Sequence, residues 1–296
     1  MSYRLKSRES PASGLRRICC EEIKAALAET KSRGRPPGAA VHEFRKHVKK
    51  LRAALRLTAD EIGKVRYRRE DRALRDIAKL ASDLRDAHVR LQVIVQLHKK
   101  FRGAGFARVF RRIEELLSLE LSSFTAACAG WEAKVANRFK AIEKHISSWR
   151  LNRLSWKQVC SAVAASYRRG RNQLADTLKK PVPKNFHKWR REVKDLWYQL
   201  RLLSPLNRTV LEEIARDAET LGDLLGRDHD FAFLLSRLDL ERNDQVLRRE
   251  RTKLERLIKK RSKRLQRDAA ELGRHFYAEP PKAFAKRISI FVKDRR

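Results

Sequence analysis

His42-Glu43-Phe44-Arg45-Lys46-His47-Val48-Lys49-Lys50-Leu51-Arg52-Ala53-Ala54-Leu55-Arg56 and, much later in the chain, His187-Lys188-Trp189-Arg190-Arg191-Glu192-Val193-Lys194-Asp195-Leu196-Trp197-Tyr198-Gln199-Leu200-Arg201 are two versions of one pattern. Phe44, Val48, Leu51 and Leu55 recur at three- and four-residue spacing, as do Trp189, Val193, Leu196 and Leu200. At about 100° per residue each set gathers on one side of a helix. His42, Arg45, Lys46, Lys49 and Arg56 fall on an adjoining arc, with Arg52 at its edge. His187, Arg190, Arg191, Lys194 and Arg201 do the same in the second version. Each segment therefore reads as a helix with an apolar face and a densely cationic one.

Working outward, a second pair of blocks follows in the same order. Arg85-Asp86 before Val89 and Leu91 is echoed by His229-Asp230 before Phe233 and Leu235. Two matched blocks in one order argue for a duplicated multi-helix unit. Glycine (11) and proline (8) are scarce and clustered, which favours long helices over many short strands. The breaks at Pro11, Arg35–Gly38, Gly103–Gly105, Arg150–Ser155, Pro181–Pro183, Ser204-Pro205 and Pro280-Pro281 divide the chain. Helices are expected at roughly 12–33, 40–59, 66–82, 84–101, 106–129, 131–149, 156–178, 184–203, 207–225, 227–240, 243–274 and 281–293. The fold class is all-α, with repeats over roughly residues 10–150 and 151–294 that together make one domain.

The charge narrows the partners. Lysine and arginine total 71 against 36 acidic residues, a net +35. A compact body with that charge repels itself and calls for a polyanion. Nucleic acid, an acidic membrane surface and polyphosphate all qualify, and charge does not choose among them. The cysteines, Cys19, Cys20, Cys128 and Cys160, have neither disulfide-framework nor zinc spacing, so buried free thiols in a reducing cytoplasm are expected. The N-terminus lacks a secretory apolar run, and no stretch approaches the ~18 apolar residues of a membrane span. The expectation is a soluble, cytoplasmic chain.

The cationic arcs are the candidate site. Like charges four residues apart on a helix repel by a few tenths of a kcal/mol per pair. The arcs contain no acids to relieve this, because Glu43, Glu192 and Asp195 are expected on other faces. Arginine grips phosphate oxygens bidentately, and lysine adds a mobile point charge. His42 and His187 are expected at helix starts, beside free N–H groups. Protonation of these histidines by a bound polyanion would strengthen binding as pH falls through the histidine range. The remaining histidines have no shared metal-ligand spacing and are assigned to core edge or surface, His229 excepted because Asp230 matches Asp86. Asp86 and Asp230 either hold a stripe arginine or pair across the helix interface, the second being preferred.

These motifs resemble the CHAD family, the conserved-histidine α-helical domain. The resemblance rests on His42-x-x-Arg45-Lys46-x-x-Lys49-x-Leu51-Arg52, His187-x-x-Arg190-Arg191-x-x-Lys194, the Asp86–Val89 block and Leu225-Gly226-x-x-x-Asp230. Leu272-Gly273-Arg274-His275-Phe276-Tyr277 and Phe284-Ala285 resemble its close, giving coverage of roughly residues 10–293. The resemblance implies two pseudo-symmetric helical bundles flanking a basic central channel. It also implies binding of inorganic polyphosphate and association with polyphosphate granules. Arg168, Arg169 and Arg171 resemble another basic element of the family, and Arg168 and Arg171 join the candidate residues. Two positions depart from the pattern. Trp197 replaces the arginine at Arg52, which is expected to weaken the second stripe, and Ser82 stands where the second half has Gly226, altering the helix junction.

Nucleic acid is the alternative partner. Proteins that grip single strands offer exposed aromatics for the bases, whereas Phe44 and Trp189 lie on the apolar faces. The strongest case for nucleic acid is the basic helix over residues 247–267, whose charges encircle it too broadly for a membrane-surface amphipath. No phosphate loop, nucleophile elbow or metal-binding histidine pair is present. The expectation is a non-enzymatic binding module without cofactor or metal.

Overall fold

The computed structural model describes residues 3–6, 8–31, 37–101, 107–240 and 248–293. Among them every regular element is helical. In chain order these are α1 (Pro11–Thr30), α2 (Pro37–Leu57), α3 (Ala59–Ile62), α4 (Lys64–Lys79), α5 (Ser82–Lys100), α6 (Ala107–Ala127), α7 (Trp131–Ser147), α8 (Trp156–Lys179), α9 (Pro183–Leu203), a 3-10 turn (Ser204–Leu206), α10 (Arg208–Leu240), α11 (Arg248–Phe276) and α12 (Pro281–Lys293). Proline opens α1, α2, α9 and α12, where its missing N–H costs nothing and its fixed φ suits the first turn. Ser155 closes a capping box with Gln158 at the start of α8, satisfying two otherwise orphaned donors.

Two boundaries differ from the sequence reading. Helices were expected to break at Gly226, yet α10 runs through it from Arg208 to Leu240. A side chain at Gly226 would come within 3.4 Å of the Arg190 guanidinium, and one at Gly222 within 2.8 Å of Lys194 Cε. Both glycines are there for close approach of α9 side chains, not for a turn. In the first half the junction expected near residue 83 falls just before Ser82, whose hydroxyl donates to the Lys79 carbonyl. The second difference is α3, a separate turn split from α4 by Gly63. The start of the helix expected at 243 lies outside the described residues.

The apolar stripes of α2 and α9 are fully interior: Phe44, Val48, Leu51, Leu55, Trp189, Val193, Leu196 and Leu200 are all at most 1% exposed. They belong to one core cluster containing residues from α1, α2, α7, α8, α9 and α12. A smaller cluster joins α5, α6, α10 and α11. Between them, α2 packs on both α5 and α9, and α10 packs on the same two helices. This ring of four helices frames the candidate site. All four cysteines are free; Cys19 and Cys160 are buried, while Cys20 and Cys128 are only partly so. No described helix is long and apolar enough to cross a membrane.

Candidate functional site

Because the apolar stripes of α2 and α9 share one core, the cationic residues next to those stripes are brought close together. They meet at a cavity of about 350 Å³ whose walls come from α2, α5, α9 and α10. Arg45, Lys49 and Arg52 enter from α2, Arg85 from α5, and Arg190, Arg191 and Lys194 from α9. Against these seven cations stand two lining carboxylates, Asp86 and Asp195. His187, Tyr198, His229 and Phe233 complete the wall.

The bonding around the cavity is uneven. Arg52 is paired with Asp71 at 2.8 Å. Lys194 reaches Asp223 at 2.9 Å and lies 4.3 Å above the Trp197 ring. Arg45 donates to the Ala78 carbonyl at the end of α4. Arg85 is bound to Asp86 at 2.9 Å and lies 4.0 Å from Asp230. Arg190 Nε and His187 Nδ1, by contrast, are buried without a hydrogen-bond partner among the described residues. Among the described residues nothing forms a hydrogen bond or ion pair with Lys49. A buried donor left unpaired, as Arg190 Nε and His187 Nδ1 are, costs about 1–3 kcal/mol, more when charged.

The electrostatics register that strain. Burial, reinforced by Arg190, Arg85, Arg45 and Lys194, pulls the Lys49 amine down to about 7. Burial first, then Arg85, holds the Arg45 guanidinium below its ordinary range. Arg190 is also lowered by burial, with Asp230 partly offsetting it. The carboxylates resist charging too: burial raises Asp195 and Asp230 despite the cations beside them. Positive charge thus exceeds negative charge in a space where water screens poorly. Such a cluster is chemically fitted to receive an oligoanion, each phosphate oxygen replacing a missing acceptor.

Six of the thirteen candidate residues lie off this wall. His42 is half-buried beside the cluster, and burial followed by Lys46, Arg85 and Lys49 pushes it down to about 4. Neither it nor His187 stands at a helix start: α2 begins at Pro37 and α9 at Pro183, so both occupy the second turn, where free N–H groups have run out. Burial lowers His187 as well, and its ring packs 4.7 Å from His229. Lys46 is exposed and paired with Glu43 at 2.7 Å. Arg56 is committed to Asp195 at 2.6 Å and Glu192 at 3.4 Å. The expectation that these acids avoid the arc fails, because α2 and α9 face each other and an acid on one helix reaches a base on the other. Arg168 points into a different groove, between α8 and α12, beside Lys157, Lys282 and Lys286. Arg171 is exposed and donates to the Tyr277 carbonyl at 3.1 Å. Arg201 lies over Trp197 at 5.0 Å, outside the cavity, so the tryptophan that replaces a stripe arginine recruits two neighbouring cations to its ring face.

Sequence reasoning missed Arg85, His229, Asp195, Tyr198 and Phe233. The signal for Arg85 and His229 was present, since they are the matched residues of the second repeated block. Asp230 on α10 lies 4.0 Å from Arg85 on α5, a pair across the helix interface as preferred from the sequence, while Asp86 bonds Arg85 within α5. No α11 residue lines the cavity. Among the described residues no group of His, Cys, Asp and Glu could hold a metal ion.

A family model for the CHAD domain matches residues 17–239. The match takes in the four cavity helices and stops at the end of α10, so Leu272–Tyr277 and Phe284-Ala285, read as the family's close, fall outside it. No curated protein is significantly similar to the chain.

Proposed function

Because the chain belongs to the CHAD family, we propose that it binds inorganic polyphosphate in the cavity between α2, α5, α9 and α10. The observation that carries this reading is the pairing deficit: seven cations line a half-enclosed space with two carboxylates, and among the described residues Lys49 and Arg190 Nε find no partner. Polyphosphate brings closely spaced anionic oxygens and nothing else to accommodate. The cavity is lined with groups that bind phosphate oxygens and has few that would read a base.

In this proposal the two motif helices derive from an internal duplication, with halves at roughly 10–150 and 151–294 forming two pseudo-symmetric bundles. The cavity is the narrow part of a basic channel between them. Arg45, Lys49, Arg52, His187, Arg190, Arg191 and Lys194 contact the chain. His42, Lys46 and Arg201 extend the positive field at its margins, and Arg56 holds α2 to α9 through Asp195. Arg168 and Arg171 belong to the outer surface. The protein acts by binding, without catalysis, and is placed with polyphosphate granules in the cytoplasm.

Nucleic acid is the second reading, favoured by the exposed cations of α11, including Arg248, Arg249, Lys253, Arg256, Lys259 and Lys260. Competition in near-physiological salt separates the two. Long-chain polyphosphate is expected to displace bound RNA or DNA while excess RNA fails to displace polyphosphate; the reverse order overturns the proposal. Release of orthophosphate in the presence of magnesium would overturn the non-catalytic part of it.

A further inference from the structure

The cavity contains a nucleophile as well as anion-binding groups. Lys49 lines it from α2, with Arg45, Arg85, Arg190 and Lys194 as its charged neighbours. The nearby carboxylates do not neutralise it, since Asp86 is bound to Arg85 and Asp195 to Arg56. Asp230, 4.0 Å from Arg85, forms no ion pair with the amine. In the unliganded cavity, with Lys49 titrating at about 7, roughly half the molecules carry an amine lone pair at neutral pH, against about one in several thousand for an ordinary lysine. An unprotonated amine in a desolvated cationic pocket is an activated nucleophile.

Acyl phosphates match both properties at once, because they join a phosphate to an electrophilic carbonyl. We propose that Lys49 is an acylation site for small acyl phosphates, whose phosphate group is gripped by Arg45 and Arg190 while the amine attacks the acyl carbon. The inference rests on the anion-binding reading of the cavity. The new bond is the amide N–C bond. The carbonyl C–O bond to phosphate breaks, inorganic phosphate leaves with the electron pair, and the amine gives up its proton to solvent. No other reactant is needed. The product amide is permanently neutral, so acylation should weaken polyphosphate binding, and bound polyphosphate should shield the amine from acylation.

The test uses the whole chain and acetyl phosphate at about pH 7, with peptide mass spectrometry reading each lysine over time. Lys49 is expected to acetylate at least about tenfold faster than exposed Lys46, Lys188 and Lys253, because the neutral fraction of its amine and the grip of Arg45 and Arg190 on the phosphate both favour it. Acetic anhydride, which has no phosphate to grip, should show a clearly smaller preference, keeping only the part due to the neutral amine. Equal rates at Lys49 and the exposed lysines overturn the inference, as does equal selectivity with the anhydride. Polyphosphate binding, followed in parallel by calorimetry, separates the two claims. If polyphosphate binds but Lys49 is inert, the acylation site falls and the binding function stands. If Lys49 reacts selectively but polyphosphate neither binds nor protects it, the binding function falls and the acylation site stands.

Discussion

The cavity and the outer face of α11 are both crowded with cations, and they differ in what surrounds those charges. On α11, Arg248, Arg249, Lys253, Arg256, Lys259, Lys260, Lys263, Arg264 and Arg267 are all exposed. Water and salt screen them, so their mutual repulsion is small and their attraction for a polyanion is diffuse. In the cavity a similar density of charge is desolvated by helix packing. Lys49 is driven down to about 7, and Arg190 Nε has no partner among the described residues. The same residue types yield a solvated surface in one place and an unmet demand for anionic acceptors in the other. Charge density alone does not make a site; charge deprived of water and counter-charge does.

Reversing charge in each region gives the sharpest test of that contrast. Arg45→Glu combined with Arg190→Glu is expected to weaken polyphosphate binding by about a hundredfold or more, since each charge-assisted hydrogen bond lost is worth roughly 1.5–3 kcal/mol. Helicity by circular dichroism should be retained. A loss of less than tenfold would erase the distinction between cavity and surface.

Lys49→Met is the next largest. Removing an unpaired, partly desolvated charge should raise thermal stability, while lowering polyphosphate affinity about tenfold. The gain should be greater at low pH than at high pH, because the folded-state amine has a depressed pKa and only its charged form is penalised. Thermal unfolding across pH and calorimetry check the two effects. A variant that is both less stable and unimpaired in binding would show the amine to be an ordinary packing element.

The pH profile follows from the same group. A bound polyanion restores the Lys49 charge, so the complex holds more protons than the free protein and affinity rises as pH falls. The rise should amount to about tenfold between roughly pH 8 and pH 6 and then level off, as the free amine becomes protonated below its value near 7. The sequence pointed to His42 and His187 as the titrating groups, but burial pushes His42 down to about 4 and lowers His187 as well. Calorimetry in buffers of different ionisation enthalpy should detect the proton taken up.

The smallest effect is expected on α11. Lys259→Glu with Lys260→Glu should change polyphosphate affinity by less than about threefold at physiological salt, given screening over about 8 Å. The same pair should weaken RNA binding by more than it weakens polyphosphate binding.

Which parts were legible in the sequence follows from how each feature is encoded. Helical class, and the buried stripes of α2 and α9, are written in periodicity along one segment. So is the presence of Arg45, Lys49, Arg190 and Lys194 on faces beside those stripes. What periodicity could not show is anything set by a second helix. Arg56 sits on the predicted arc, yet it is spent on Asp195 and Glu192, acids from α9. Arg168 and Arg171 resemble a family element in sequence, yet the way α8 packs turns them outward. Gly226 looks like a break by composition and proves to be room for Arg190. Arg85 and His229 were visible as a matched pair, but only the ring of α2, α5, α9 and α10 gives that match a place in the cavity wall.

A crystal structure of the protein with tripolyphosphate tests the central claim most directly. The account predicts phosphate density inside the cavity, within hydrogen-bond distance of Arg45, Lys49 and Arg190, with Arg190 Nε donating to an oxygen. Phosphate ordered along the outer face of α11, with the cavity cations making no contact to it, would contradict the account.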